Sequence, residues 1–139
     1  MAKFSAGQIS SCSKTITEKD VKTFAEISGD TNPVHLDETY AKQTRFGKRI
    51  AHGTLTIGLI SVVLGNQLPG HGTVYMSQAI KFVKPVFFDD TITATVEILS
   101  IRADKGIVTL KTVCTNQRGE NVAEGEAMVF HPDAKAMSQ

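Results

Sequence analysis

The chain has 139 residues, of which 41% are apolar, enough for one domain with a core of its own. Its net charge is +1, Trp is absent and aromatic residues make up only 6%. With lysines and arginines scattered along the chain, this argues against a basic stripe or a base-stacking platform, and no nucleic-acid partner is expected.

Cys12 and Cys114 are isolated thiols with no metal or redox spacing, which fits a reduced, intracellular protein. The N-terminus shows no apolar core of a secretory signal. The longest apolar stretch, around Ile57 to Leu64, is too short for a membrane span. A cytoplasmic location with no membrane partner follows by default. No repeat or linker divides the sequence, so residues 1–139 read as a single domain with its core at about 7–131.

Residues Ser11 to Ile16 are predicted as the first strand. Thr17, with Asp20 three residues on, reads as a capping box opening a helix. Val21, Phe24, Ala25 and Ser28 share one face of that helix, and Gly29 is a suitable stop. A polar loop then runs from Asp30, where Pro33 pushes Asn32 toward extended geometry. A second helix is expected from Gly53 or Thr54 to Leu64. It is apolar nearly all round, as befits a helix in the middle of a domain. The remainder alternates. Val74, Met76, Ile80 and Phe82 share one parity, and Ile92, Ala94, Val96 and Ile98 another. Asp104-Lys105-Gly106 turns the chain into a strand from Ile107 to Thr115, and Arg118-Gly119 turns it into the last, Asn121 to His131. The tail from Pro132 is expected to fray. A central apolar helix plus long antiparallel strands predicts an α+β architecture, the sheet wrapped around the helix.

The loop Ser28-Gly29-Asp30-Thr31-Asn32-Pro33-Val34-His35 holds a carboxylate and an imidazole five residues apart. Histidine is the side chain best suited to proton transfer near neutral pH, and a carboxylate beside it can orient it or share a water. The same residues also fit a purely structural role, with Asp30 in an Asx turn and His35 hydrogen-bonded in the core. The spacing does not match an EF-hand, since Val34 stands where a ligand is needed, and no zinc motif is present, so no metal is expected. Gly53 opens the apolar helix after Ala51-His52. A backbone N–H there, at the positive end of the helix dipole, suits an oxyanion, although Gly53 could serve only to permit tight helix entry. His52 reads as structural. His71 and His131, at a turn and a strand end, are expected to be exposed.

The stretch Phe24-Ala25-Glu26-Ile27-Ser28-Gly29-Asp30-Thr31-Asn32-Pro33-Val34-His35, with Ala41 beyond it, resembles the signature of the MaoC-like, or hydratase 2, family. Ala51-His52-Gly53, the Leu68-Pro69-Gly70 turn and the Lys81-Phe82-Val83-Lys84-Pro85-Val86 strand resemble the same family, from about Gly7 to Phe130. The resemblance implies a hot-dog fold and a homodimer or higher homo-oligomer. It implies (R)-specific hydration of trans-2-enoyl-CoA to (R)-3-hydroxyacyl-CoA, with coenzyme A present only as part of the substrate and no other cofactor. The family also includes acyl-carrier-protein dehydratases. Asp30 and His35 would then be catalytic, Gly53 N–H the oxyanion donor, and Asn32 and Ser61 supporting residues. Ile57, Leu64 and Val129 are candidates for the acyl pocket.

Two other functions compete. A hot-dog thioesterase would place its carboxylate on the central helix, and Thr54 to Leu64 contains no acid. A non-catalytic acyl-CoA-binding or dehydratase-partner module would have no need of the Asp30 and His35 pair.

Overall fold

The computed structural model describes residues 3–136. Strand β1 (Ile9–Thr15) leads into helix α1 (Glu18–Ser28). Thr17 caps α1: its hydroxyl accepts from the Asp20 N–H at 3.1 Å, and the Asp20 carboxylate accepts from the Thr17 N–H at 3.0 Å. The expected capping box is therefore complete, and Gly29, with φ 78°, ends the helix. On the inward face Val21 and Ala25 are buried and Phe24 is half-buried, while Ser28 is exposed and turns its hydroxyl back to the Phe24 carbonyl.

The polar loop expected after Asp30 is partly helical. Two short helices, α2 (Pro33–Leu36) and α3 (Glu38–Lys42), follow α1. Proline at the first helical position gives up only an N–H that would be unpaired anyway, and the Asn32 side chain caps the turn. Helix α4 (Gly53–Asn66) then crosses one face of a five-stranded sheet. The other strands are β2 (Val74–Phe82), β3 (Thr91–Arg102), β4 (Ile107–Thr115) and β5 (Asn121–Phe130). All neighbours are antiparallel in the order β1-β3-β4-β5-β2.

The core lies between α4 and the sheet. Thr56, Ile60, Val63 and Leu64 pack inward from the helix, against Ile92, Ala94, Val96 and Ile98 from β3 and Val108, Leu110 and Cys114 from β4. From Thr91 to Ile98 strict alternation on β3 places every second residue in this layer, as the sequence pattern requires, and it ends at a bulge at Leu99. The helix is less enclosed than its all-round apolar character suggests. Thr54, Gly58 and Ser61 are exposed, and Val62 keeps 41% of its surface open.

Three other expectations change. In β2 the single parity is broken by a bulge at Met76, so Tyr75, Gln78 and Ile80 lean inward while Val74, Met76 and Phe82 stay exposed. The tail is held in place as far as Ala136, beyond which it lies outside the described residues: Pro132–Ala134 forms a 3-10 turn, Ala134 is buried, and the Ala136 N–H reaches the Ala103 carbonyl. His131 is buried, donating from Nε2 to the His71 carbonyl at 2.8 Å and accepting at Nδ1 from the Asp133 N–H at 3.0 Å. His71 itself is exposed as expected.

Strand β5 passes so close to β2 at Gly125 that a side-chain carbon there would run into the Ala79 carbonyl. Gly125→Ala should therefore lower stability by at least about 2 kcal/mol in denaturant unfolding. An unchanged midpoint would show that β2 is not packed in this way.

Candidate active site

Four segments converge at the N-terminus of α4. The end of α1 delivers Asp30, α2 presents His35, the extended residues Ile50 and Ala51 pass beside it, and His52 leads into the helix. The passing segment is fixed at both sides, by Ile50 N–H to Val34 carbonyl (3.2 Å) and Ala51 N–H to Val86 carbonyl (2.7 Å).

The loop is braced by its own side chains. The Asp30 N–H donates to Ser28 Oγ at 3.1 Å, and the Asp30 carboxylate accepts from the Asn32 N–H at 3.2 Å. The Asn32 side-chain Oδ1 accepts from the Val34 N–H at 3.2 Å. Asp30 therefore does form the Asx turn, and its carboxylate remains exposed beside His35.

His35 is buried, and its Nδ1 lies 2.7 Å from the Ile50 carbonyl. A carbonyl only accepts, so Nδ1 carries the proton and Nε2 keeps a free lone pair. Burial pushes the imidazole below its ordinary value; the Ile50 hydrogen bond and the Asp30 charge pull against this, and His52 reinforces it. His35 is thus a neutral base near pH 7.

His52, read from the sequence as structural, is tied by its position to the pair. It is fully buried, its Nε2 donates to the Asp30 carbonyl at 3.0 Å, and its ring stacks on His35 with centroids 3.9 Å apart. Its Nδ1 has no partner among the described residues. One carboxylate oxygen of Asp30 and one ring nitrogen of each histidine lie within 4.8 Å of one another. The two rings are only 28° from parallel and stack face to face. The spacing suits a water between Asp30 and His35, since two hydrogen bonds of about 2.8 Å span it.

Gly53 starts α4 with no side chain capping its N-terminus, so the first N–H groups stay available. Gly53 and His35 line the same cavity of about 280 Å³. A side chain at 53 would press on the Phe82 ring at 3.1 Å, so glycine permits that ring to lie against the helix start. The rest of the wall comes from Phe82, Lys84 and Val86, in the stretch that resembles the family, and from Arg45, Phe46 and Val122, which the sequence did not single out. No local motif marks Arg45, Phe46 and Val122, and only their shared place around the helix start connects them.

The remaining candidates lie elsewhere in the single chain. Ser61 is exposed, eight residues beyond Gly53 and so about 12 Å along the helix axis. Ile57 is half-buried, Leu64 and Val129 are core residues, and none of the three lines the cavity.

An antiparallel sheet laid on one long helix, with a carboxylate and an imidazole at that helix's start, defines a hot-dog protein built for proton transfer. A profile of the MaoC-like domain matches residues 6–118, and the chain belongs to that family. It is 50% identical over 126 residues to an (R)-specific enoyl-CoA hydratase of Rhodospirillum rubrum, covering 91% of this chain and 87% of that one. Over 126 residues it is 44% identical to an (R)-specific enoyl-CoA hydratase of Aeromonas caviae, covering 91% and 94%. A solved (R)-hydratase from A. caviae involved in PHA biosynthesis superimposes with a TM-score of 0.91 at 42% identity, over 95% of this chain and 100% of that one.

Burial predicts a His35 that titrates below its ordinary value of 6.5 in an NMR pH series, and the Ile50 hydrogen bond puts the proton of its neutral form on Nδ1. Titration at or above 6.5 would contradict the buried, Ile50-bonded imidazole.

Proposed function

We propose that the protein adds water to trans-2-enoyl-CoA, giving (R)-3-hydroxyacyl-CoA, and catalyses the reverse dehydration. The observation that carries this reading is the neutral, Ile50-anchored His35 beside the Asp30 carboxylate, in a cavity that also contains Gly53. Relatives at 44% and 50% identity are named (R)-specific enoyl-CoA hydratases, which supports it.

A water sits between the Asp30 carboxylate and His35 Nε2. Asp30 accepts one of its hydrogens and fixes its direction. His35 takes the other as the oxygen attacks the β-carbon. Electron density moves to the thioester oxygen, where the Gly53 N–H stabilises the enolate. His35 then returns its proton to the α-carbon on the same face, so water is added whole and the enzyme ends unchanged. No cofactor is required, and no metal takes part. Asn32 holds the loop at its angle, and His52 holds the Asp30 backbone against the α4 start.

The chain acts as a homodimer or larger homo-oligomer in this proposal. Strand β2 is a sheet edge, and Val74, Met76 and Phe82 on it are 56%, 50% and 49% exposed. An apolar edge of this kind favours a second copy. Ser61, the expected supporting residue, lies on the open face of α4, and the acyl chain would extend toward Ile57, Leu64 and Val129. No described helix is long and apolar enough to cross a membrane, which fits the proposed cytoplasmic location.

With crotonyl-CoA as substrate, Asp30→Asn and His35→Ala should each reduce the loss of enoyl absorbance by about 10²–10⁴-fold while circular dichroism stays unchanged. Near-normal turnover by either folded variant would refute the assignment.

A further inference from the structure

The even spread of cations along the sequence conceals a segregation of charge. Between Thr39 and Phe88 the chain carries Lys42, Arg45, Lys48, Arg49, Lys81 and Lys84 and no Asp or Glu. The other nine of its 15 cations share the rest of the chain with all 14 carboxylates. The same acid-free span supplies most of the wall of the His35 cavity, including Arg45 and Lys84.

Two of these cations are neutralised from outside the span. Arg49 pairs with Glu18 at 2.7 Å and Lys84 with Glu120 at 2.6 Å. The other four are exposed, and among the described residues none has a salt-bridge partner. Of these, Arg45 and Lys48, unlike Lys42 and Lys81, are held in place by rings. Each is held over an aromatic face, Arg45 4.9 Å from the Phe46 centroid and Lys48 4.4 Å from that of Phe87. A ring positions a cation without cancelling its charge, so the two stand ready for an anion beside the cavity.

We infer that Arg45 and Lys48 form a subsite for the phosphates of the substrate's carrier, and that these are the phosphates of the coenzyme A nucleotide. This rests on the thioester-hydratase reading and refines it. The chemistry shared by both possible carriers is a phosphate at the end of a pantetheine arm. A carrier protein offers one phosphodiester there; the nucleotide offers a diphosphate and a 3′-phosphate. Two unneutralised cations within four residues match the more highly charged end. The apolar walls contributed by Ile50, Val86 and Val122 suit the uncharged arm between thioester and phosphates.

The test compares wild type with the R45A/K48A double variant on crotonyl-CoA, crotonyl-pantetheine and crotonyl-acyl-carrier protein. Neither residue holds a reacting atom, so kcat should persist. The KM for crotonyl-CoA should rise about tenfold or more, and that for crotonyl-pantetheine should stay within twofold. Added salt should raise the wild-type KM for crotonyl-CoA and affect the variant less. An unchanged KM for crotonyl-CoA, an equal rise for crotonyl-pantetheine, or a larger effect on the carrier-protein substrate would each overturn the inference. Calorimetry with 3′-phospho-ADP separates this from the hydratase reading, because it needs no turnover. Binding by wild type and its loss in the variant would uphold the subsite even for a protein that hydrates nothing; equal binding by both would sink it.

Discussion

His35 can serve as a base because its Nδ1–H is committed to the Ile50 carbonyl, and the geometry of the site depends on that hydrogen bond. The bond sets the tautomer and leaves Nε2 free, while burial keeps the ring neutral. It also ties α2 to the extended segment that leads into α4, so the base and the helix start are fixed relative to one another. His52 makes the matching connection on the other side, from the α4 start back to the Asp30 carbonyl, and stacks on His35. The two histidines thus bind the loop to the helix that it covers. In the proposed reaction the free nitrogen of His35 serves the chemistry; that of His52 stays buried, with no partner among the described residues.

The local features were legible in the sequence because they depend on neighbours a few residues away. The Thr17 capping box, the Gly29 stop, the inward face of β3 and both hairpin turns in the second half follow from short-range patterns, and each is present. The Asp30 and His35 pair was legible because its spacing and its proline are local, and because the motif resembles that of a known family. What escaped was set by distant partners. The bulge at Met76 exists only in the pairing of β2 with β5. His131 is buried because the His71 carbonyl, sixty positions earlier, lies beside it. The short helix at Pro33 was hidden by the same residue that signals a break, since proline can begin a helix as readily as it ends one.

Charge shows the same division. Counted along the chain, the cations look scattered. In three dimensions the acid-free span folds back on itself, and residues near position 45 and position 84 meet across one cavity. The open face of α4 carries a related lesson. A helix apolar on all sides predicts burial on all sides, yet one chain covers only part of it, and the exposed Val62 and the apolar β2 edge remain for a second copy in the proposed assembly.

The stereochemistry of the product tests the central claim most directly. Purified protein would be mixed with crotonyl-CoA and the product offered to an (R)-specific and an (S)-specific 3-hydroxyacyl-CoA dehydrogenase, with free coenzyme A measured alongside. The account predicts loss of enoyl absorbance, oxidation by the (R)-specific enzyme alone and no release of coenzyme A. An (S) product, free coenzyme A or no reaction with crotonyl-CoA or longer enoyl-CoAs would contradict it.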